Sequence, residues 1–218
     1  MASKGFKAPA FGEMRQPMQR QTGPNAGTEV VPSFLSSLKD LHVDARVVKS
    51  EAEATDAIRA TVSRTGAKSV VVAGIPSRYR AMVSAALSGV EFTYVEDLHG
   101  KPRSEVLKVL SSAHVGITWA VNGLASEGAM LEVVYDDSFK LASSLPIVHI
   151  GLMESSSVLP SLAEALPMVG EIIARAPPDK KPIVSFISGP SKTGDIEMRL
   201  LYGVHGPHTV HALLIDWR

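Results

Sequence analysis

From Thr28 onward the apolar and polar positions alternate between two periods. In TEVVPSFLSSLKDL the residues Val31, Phe34, Leu35 and Leu38 recur at helical spacing, which predicts a helix with one buried face. DARVVK follows as a short strand. SEAEATDAIRATVSRTG opens on Ser50 with Glu53 three residues later, a capping box, and Gly66 supplies the stop. KSVVVAG, Lys68 to Gly74, is a continuous β-branched run of the kind a strand covered on both faces requires. PSRYRAMVSAALSG places Pro76 at a first helical position and Gly89 past the end. EFTYVE reads as a strand, KPRSEVLKVLSSA as a helix and HVGITWA as a strand.

The middle of the chain changes character. VNGLASEGAMLEVVYDD carries two glycines and then a strand from Met130 to Tyr135. That strand follows its predecessor too closely for a crossover, so it predicts a hairpin or a sheet edge. SFKLASSL is a short helix, PIVHIGLM a buried strand, and SSSVLPSLAEALPMVGEIIARA a helix carrying Pro160 and Pro167. KPIVSFISG and TVHALLID are the last two strands. Repeated strand–helix units predict a single α/β domain over residues 29–218. Its expected form is an open, mostly parallel sheet with helices on both faces and right-handed crossovers. A ligand is expected beyond the carboxyl ends of the strands. Residues 1–28 have no period, with four basic residues against one acidic, and are read as a flexible N-terminal segment. The sharper alternative is an arm that docks on a partner through Phe6, Phe11 and its methionines.

Composition narrows the function classes. A chain of 218 residues buries roughly 70% of its unfolded surface and needs no disulfide or metal staple. Lys+Arg and Asp+Glu are both 22, so no global charge steers the protein to nucleic acid or an anionic membrane. Cysteine is absent, which excludes a disulfide, a thiolate nucleophile and a cluster ligated by cysteines of this chain. No apolar run approaches the ~18 residues of a membrane span. The basic N-terminus has no stretch of signal-peptide length, so a soluble cytoplasmic protein is expected.

Candidate chemistry concentrates in ISGPSKTGDIEMRLLYGVHGPHTVHALLID, Ile187 to Asp216. The layout predicts a strand, a PSKTG loop at its carboxyl end, and a helix DIEMRLLYG whose first turn holds Asp195 and Glu197. Backbone N–H groups at such a turn suit an anion, and Lys192 adds positive charge. Gly189 and Gly194 permit close approach of a ligand. The expected anion- or substrate-binding set is Gly189, Ser191, Lys192, Thr193, Gly194 and Asp195, joined by His205 and Gly206 from the following corner. The plain alternative is a structural clasp between the last two strands, with the acids serving the helix dipole. His205, His208 and His211 fall at spacing three, but His208 and His211 point to opposite faces of a strand and no ligand set is completed nearby. No metal is expected. His149 in PIVHIGL reads as a satisfied core histidine, and Trp119 and Trp217 as packing residues. GPSKTG is not a P-loop, because Lys192 precedes Gly194, and no G-x-G-x-x-G occurs, so no cofactor is expected.

SGPSKTGDIE followed by YGVHGP resembles the C-terminal signature of the LUD-domain family, the lactate-utilisation protein C group. Ser188 to Ser191, Thr193, Asp195 to Glu197 and Gly203 to Pro207 match its pattern, while Lys192 stands for Arg and Gly194 for Ala. VGIT, Val115 to Thr118, and SSLPIVHI, Ser143 to Ile150, are similar to two further family blocks. The chain departs from the pattern after GIT, where Val121 replaces an Asp, Ser126 a Glu and Glu127 a Thr. The resemblance implies a fold similar to the ribose-isomerase and CoA-transferase superfamily and a role in oxidising lactate or a related 2-hydroxy acid. It also implies that the electron carriers are separate cysteine-rich iron–sulfur subunits, with this chain the non-cluster subunit. Glutamate is the nucleophile in CoA transferases, which singles out Glu127. With His205 and Asp195 it completes the catalytic candidates, against the plain reading of an ordinary loop acid. Two functions follow: an enzyme subunit binding a small carboxylate or phosphate-bearing ligand, or a non-catalytic assembly protein that holds iron–sulfur partners together. A homo-oligomer is compatible with both.

Overall fold

The computed structural model describes residues 27–194, 200–202 and 205–217. The N-terminal segment read as flexible lies almost entirely outside these residues. The chain builds α1 (Gly27–Asp40), β1 (Asp44–Val48), α2 (Glu51–Arg64), β2 (Ser69–Ala73), α3 (Ser77–Ala86), β3 (Glu91–Tyr94), α4 (Arg103–Ser112) and β4 (Val115–Trp119). It continues through β5 (Asn122–Leu124), β6 (Ala129–Val134), α5 (Asp137–Ser144), β7 (Val148–Glu154), β8 (Val158–Leu159), α6 (Leu162–Ala174) and β9 (Ile183–Ile187). β10 (Lys192–Gly194), β11 (Leu200–Tyr202) and β12 (Thr209–Ile215) complete the described elements.

Six strands form the expected parallel sheet in the order β1-β12-β7-β4-β2-β3. β1, encoded near the start, pairs with β12, so that Asp44 lies beside His211. Local signals act as expected at α2, where Ser50 Oγ accepts from the Glu53 N–H at 3.1 Å and Gly66 closes the helix with φ 60°. α3 begins at Ser77, so Pro76 stands one residue before the first helical position expected for it and makes no side-chain capping bond.

Alternation along the strands separates two cores. Val70, Val72, Val115, Ile117, Ile150 and Leu213 face α2 and α3, where Ile58, Tyr79, Met82 and Val83 complete one layer. On the opposite face Val71 and Ala73 meet Leu110 and Ala142 of α4 and α5. Phe34 and Leu38 of α1 pack there with Val210, Ala212 and Leu214 of β12.

The expected hairpin after β4 belongs to a second sheet, ordered β8-β5-β6-β9. β5 and β6 pair antiparallel, as do β6 and β9, while α6 covers this sheet through Ala165 and Val169. KPIVSFISG therefore supplies an edge strand of the second sheet rather than a strand of the main one. The segment read as one long helix from Ser155 is divided: of its two prolines, Pro160 lies between β8 and α6 and Pro167 is inside α6.

Candidate functional site

The signature segment enters the amino edge of the main sheet. Gly189 has φ 122°, and a Cβ there would sit 2.6 Å from the Leu41 carbonyl oxygen, so only glycine fits this passage below α1. The Ser191 N–H donates to the Pro207 carbonyl at 3.0 Å, and the His205 N–H donates to Ser191 Oγ at 3.3 Å. Gly206 lies over Ser191, its ideal Cβ 3.3 Å from the Ser191 Cβ. The His208 N–H donates to Ile147 O at 2.8 Å, which ties the corner to the residue before β7. Ser191, His205, Gly206 and Pro207 are thus brought together at one corner. They adjoin the starts of β7 and β12, not the carboxyl ends of the main sheet. The reason is topological: the loop follows β9, and β9 runs in the second sheet.

A second correction concerns DIEMRLLYG. Leu200–Tyr202 is a strand paired antiparallel with Lys192–Gly194, so the expected helix is replaced by a hairpin arm at its carboxyl half. Asp195 and Glu197 lie outside the described residues. Lys192, Thr193 and Gly194 form β10. Glu127 is exposed, and its Oε1 accepts from the Leu162 N–H at 3.1 Å. Its carboxylate therefore serves the positive end of α6, the role of a helix-capping acid.

Among the described residues no group of three or more His, Asp or Glu is placed to hold a metal ion. His211 is buried, and its Nδ1 lies 3.0 Å from Asp44 Oδ2. Burial pushes the basicity of His211 down, and Asp44 opposes that shift.

The carboxyl edge of the main sheet carries a different set of side chains. Tyr79 stacks on Trp119 at 5.2 Å and meets Trp217 edge-on at 6.1 Å. Tyr79 Oη donates to Glu154 Oε1 at 2.7 Å, and Arg78 pairs with the same oxygen at 2.8 Å. Lys49 and Ser155 hold Asp216 from two sides. These contacts tie α3, β7, β12 and the end of β1 into one edge, and Trp119 and Trp217 act as packing residues against the core.

The most unusual chemistry lies between the two sheets. Glu132, in the apolar run of β6, is 2% exposed and His149 of β7 is 0% exposed. Thr118 Oγ1 is bonded to Glu132 Oε1 and lies 2.7 Å from His149 Nε2. Ser143 of α5 donates to Glu132 Oε2 at 3.0 Å. Burial pushes the Glu132 carboxyl up to about 7, against the pull of its Thr118 and Ser143 bonds. Burial also pushes the His149 base down to about 3. His149 is buried in the core as the sequence implied but is only half satisfied: Nε2 is bonded, while Nδ1 has no partner among the described residues. Glu132 escaped the sequence reading, although an acid inside AMLEVV is itself a signal, since an unpaired buried carboxylate is costly. Gly116 and Gly151 make room for the cluster: a Cβ at Gly116 would lie 1.9 Å from Ala142 O, and one at Gly151 2.4 Å from Met130 Sδ.

Lactate utilization protein C of Anoxybacillus flavithermus is 30% identical over 173 residues, 79% of this chain and 74% of its own length. The Bacillus subtilis protein of the same name is 30% identical over 166 residues, 75% of this chain and 69% of its own. A crystal structure of a DUF162 family protein from Deinococcus radiodurans shares the fold with a TM-score of 0.58 at 18% identity, covering 88% of this chain and 99% of that one. The LUD domain model matches residues 31–215, nearly all the described fold, so the chain belongs to the LUD domain family.

Proposed function

We propose that this chain acts in lactate utilisation as the non-cluster subunit of a system that oxidises lactate or a related 2-hydroxy acid. The observation that carries the reading is the 30% identity to two proteins named Lactate utilization protein C across about three quarters of this chain. Oxidation of a 2-hydroxy acid to the 2-oxo acid releases two electrons and two protons. With no cysteine in the chain, iron–sulfur partner subunits are the proposed electron acceptor. The proposed contact with the small carboxylate is the segment Gly189 to Asp195 with His205 and Gly206. Ser191 donates its N–H to the Pro207 carbonyl and accepts the His205 N–H on its hydroxyl oxygen, and Lys192 is the proposed cation for the ligand.

Thermal shifts against lactate, glycolate, phosphate, sulfate and CoA test the contact. A site gives a raised wild-type midpoint that Lys192→Ala reduces; no rise with any anion at millimolar concentration discards it in favour of a clasp. Growth of a deletion strain on lactate as sole carbon source tests the role itself. The assembly reading draws on the exposed apolar side chains Leu166 and Ile173 of α6 and Phe186 of β9, 56%, 53% and 50% exposed. Co-purification with a cysteine-rich subunit without anion affinity would favour it.

A further inference from the structure

Thr118 has one hydroxyl proton and two buried neighbours, Glu132 Oε1 and His149 Nε2. If the hydroxyl donates to an ionised Glu132, His149 must carry its proton on Nε2 and donate it to Thr118. If Glu132 is protonated and donates to Thr118, the hydroxyl turns to Nε2 and the ring carries its proton on Nδ1. The state of the carboxyl therefore selects the ring tautomer. A histidine tautomer is ordinarily fixed by whatever its second nitrogen meets. Here Nδ1 is buried and meets no hydrogen-bond partner among the described residues, so no contact on that side resists the exchange.

We propose that Glu132, Thr118 and His149 form a buried proton relay in which loss of the carboxyl proton converts neutral His149 from its Nδ1–H to its Nε2–H form. The proton count closes. With Glu132 protonated the three groups hold the carboxyl proton, the Thr118 hydroxyl proton and an Nδ1–H; with Glu132 ionised they hold the hydroxyl proton, now turned to Oε1, and an Nε2–H, one proton fewer. Both end states leave the ring neutral.

A further titratable group is coupled to the relay: His211, whose charge adds to the lowering of the His149 base. β4, β5 and β9 carry no other titratable side chain than those named. Asp137 and Lys140 of α5 are exposed to solvent, and Glu154 at the far end of β7 is occupied by Arg78 and Tyr79. His211 and its partner Asp44 belong to the neighbouring β12 and β1, where His211 shares the opposite face of the sheet with Leu213 and Ile215. Burial raises the carboxyl to about 7 and lowers the ring to about 3, so near neutrality the carboxyl is the group that titrates. Ser143 is buried, and its hydroxyl lies within reach of both Glu132 Oε2 and Lys140 O. The inference is independent of the lactate reading.

Long-range proton–nitrogen spectra of histidine-labelled protein from pH 5.5 to 8.5 test it, with the Glu132 carboxyl carbon followed in parallel. The expected result is one neutral ring whose pyrrole-type nitrogen moves from Nδ1 to Nε2 with the same midpoint as the carboxyl. Glu132→Gln should show one tautomer at every pH, Thr118→Val should uncouple the ring from the carboxyl, and Thr118→Ser should restore coupling. A wild-type ring whose tautomer stays constant through the Glu132 titration, or which becomes cationic in this range, overturns the relay even if no variant folds.

Discussion

Replacing Gly116 by alanine should destabilise the protein severely, and the reason is space alone, since its φ is not in the left-handed region. The new Cβ would lie 1.9 Å from the Ala142 carbonyl oxygen and 3.0 Å from Pro146 Cγ. Carbon and carbonyl oxygen settle no closer than about 3.3 Å, so α5 must retreat by roughly 1.4 Å. Overpacking of this kind costs about 1–3 kcal/mol. The retreat also withdraws Ser143 from Glu132, now 3.0 Å apart, and leaves a buried acceptor unmet for another ~1–3 kcal/mol. A total of about 3–5 kcal/mol lowers the melting midpoint by about 6–20 °C in a chain of this size. Scanning calorimetry measures it directly. Gly151→Ala is the control, because its Cβ meets the flexible tip of Met130, 2.4 Å away, rather than backbone. A Gly116→Ala midpoint within ~2 °C of wild type, or no lower than that of Gly151→Ala, refutes the argument.

Glu132 has a raised carboxyl, so its contribution to stability is full below the unfolded value near 4.5 and is lost as pH rises through about 7. Urea unfolding at pH 5 and pH 8 should show Glu132→Gln removing about 2 kcal/mol of that decline. His149 has the opposite sign: its depressed base contributes stability present above 6.5 and lost as pH falls toward about 3, so His149→Gln should flatten the acid limb of the same curve. Pro167 sits inside α6 on its exposed side, and Pro167→Ala should raise the thermal midpoint, by about 1–3 kcal/mol of stability, as an N–H is restored to the helix.

The parts of the fold that were legible in the sequence are those with strong local signals. Val70 to Ala73 could only be a strand covered on both faces, and Ser50 with Glu53 marked the start of α2 before any contact was known. The second sheet was only half visible because β5 has three residues and β8 two, too short to show a period. The helix expected after PSKTG failed for a related reason. Thr193, Asp195 and Glu197 imitate a helix start locally, but Leu200–Tyr202 is set by its antiparallel partner, Lys192–Gly194. The clustering of Ser191 with His205 and Gly206 followed from the signature, whereas its position at the amino edge depended on which sheet β9 joined. Glu132 was hidden because its partners, Thr118, Ser143 and His149, come from three other elements.

The placement of β12 between β1 and β7 bears on how the chain is made. Asp44 and His211, which bond across this seam, are separated by 167 positions. During synthesis β1 emerges early and waits, its edge unsatisfied, until nearly the whole of the described chain has left the ribosome. β12 must then slot between two waiting strands rather than add to a free border. Such late, non-local closure is slow and exposes sticky intermediates. A nascent chain arrested before Thr209 would leave open the borders of β1 and β7 that β12 later joins.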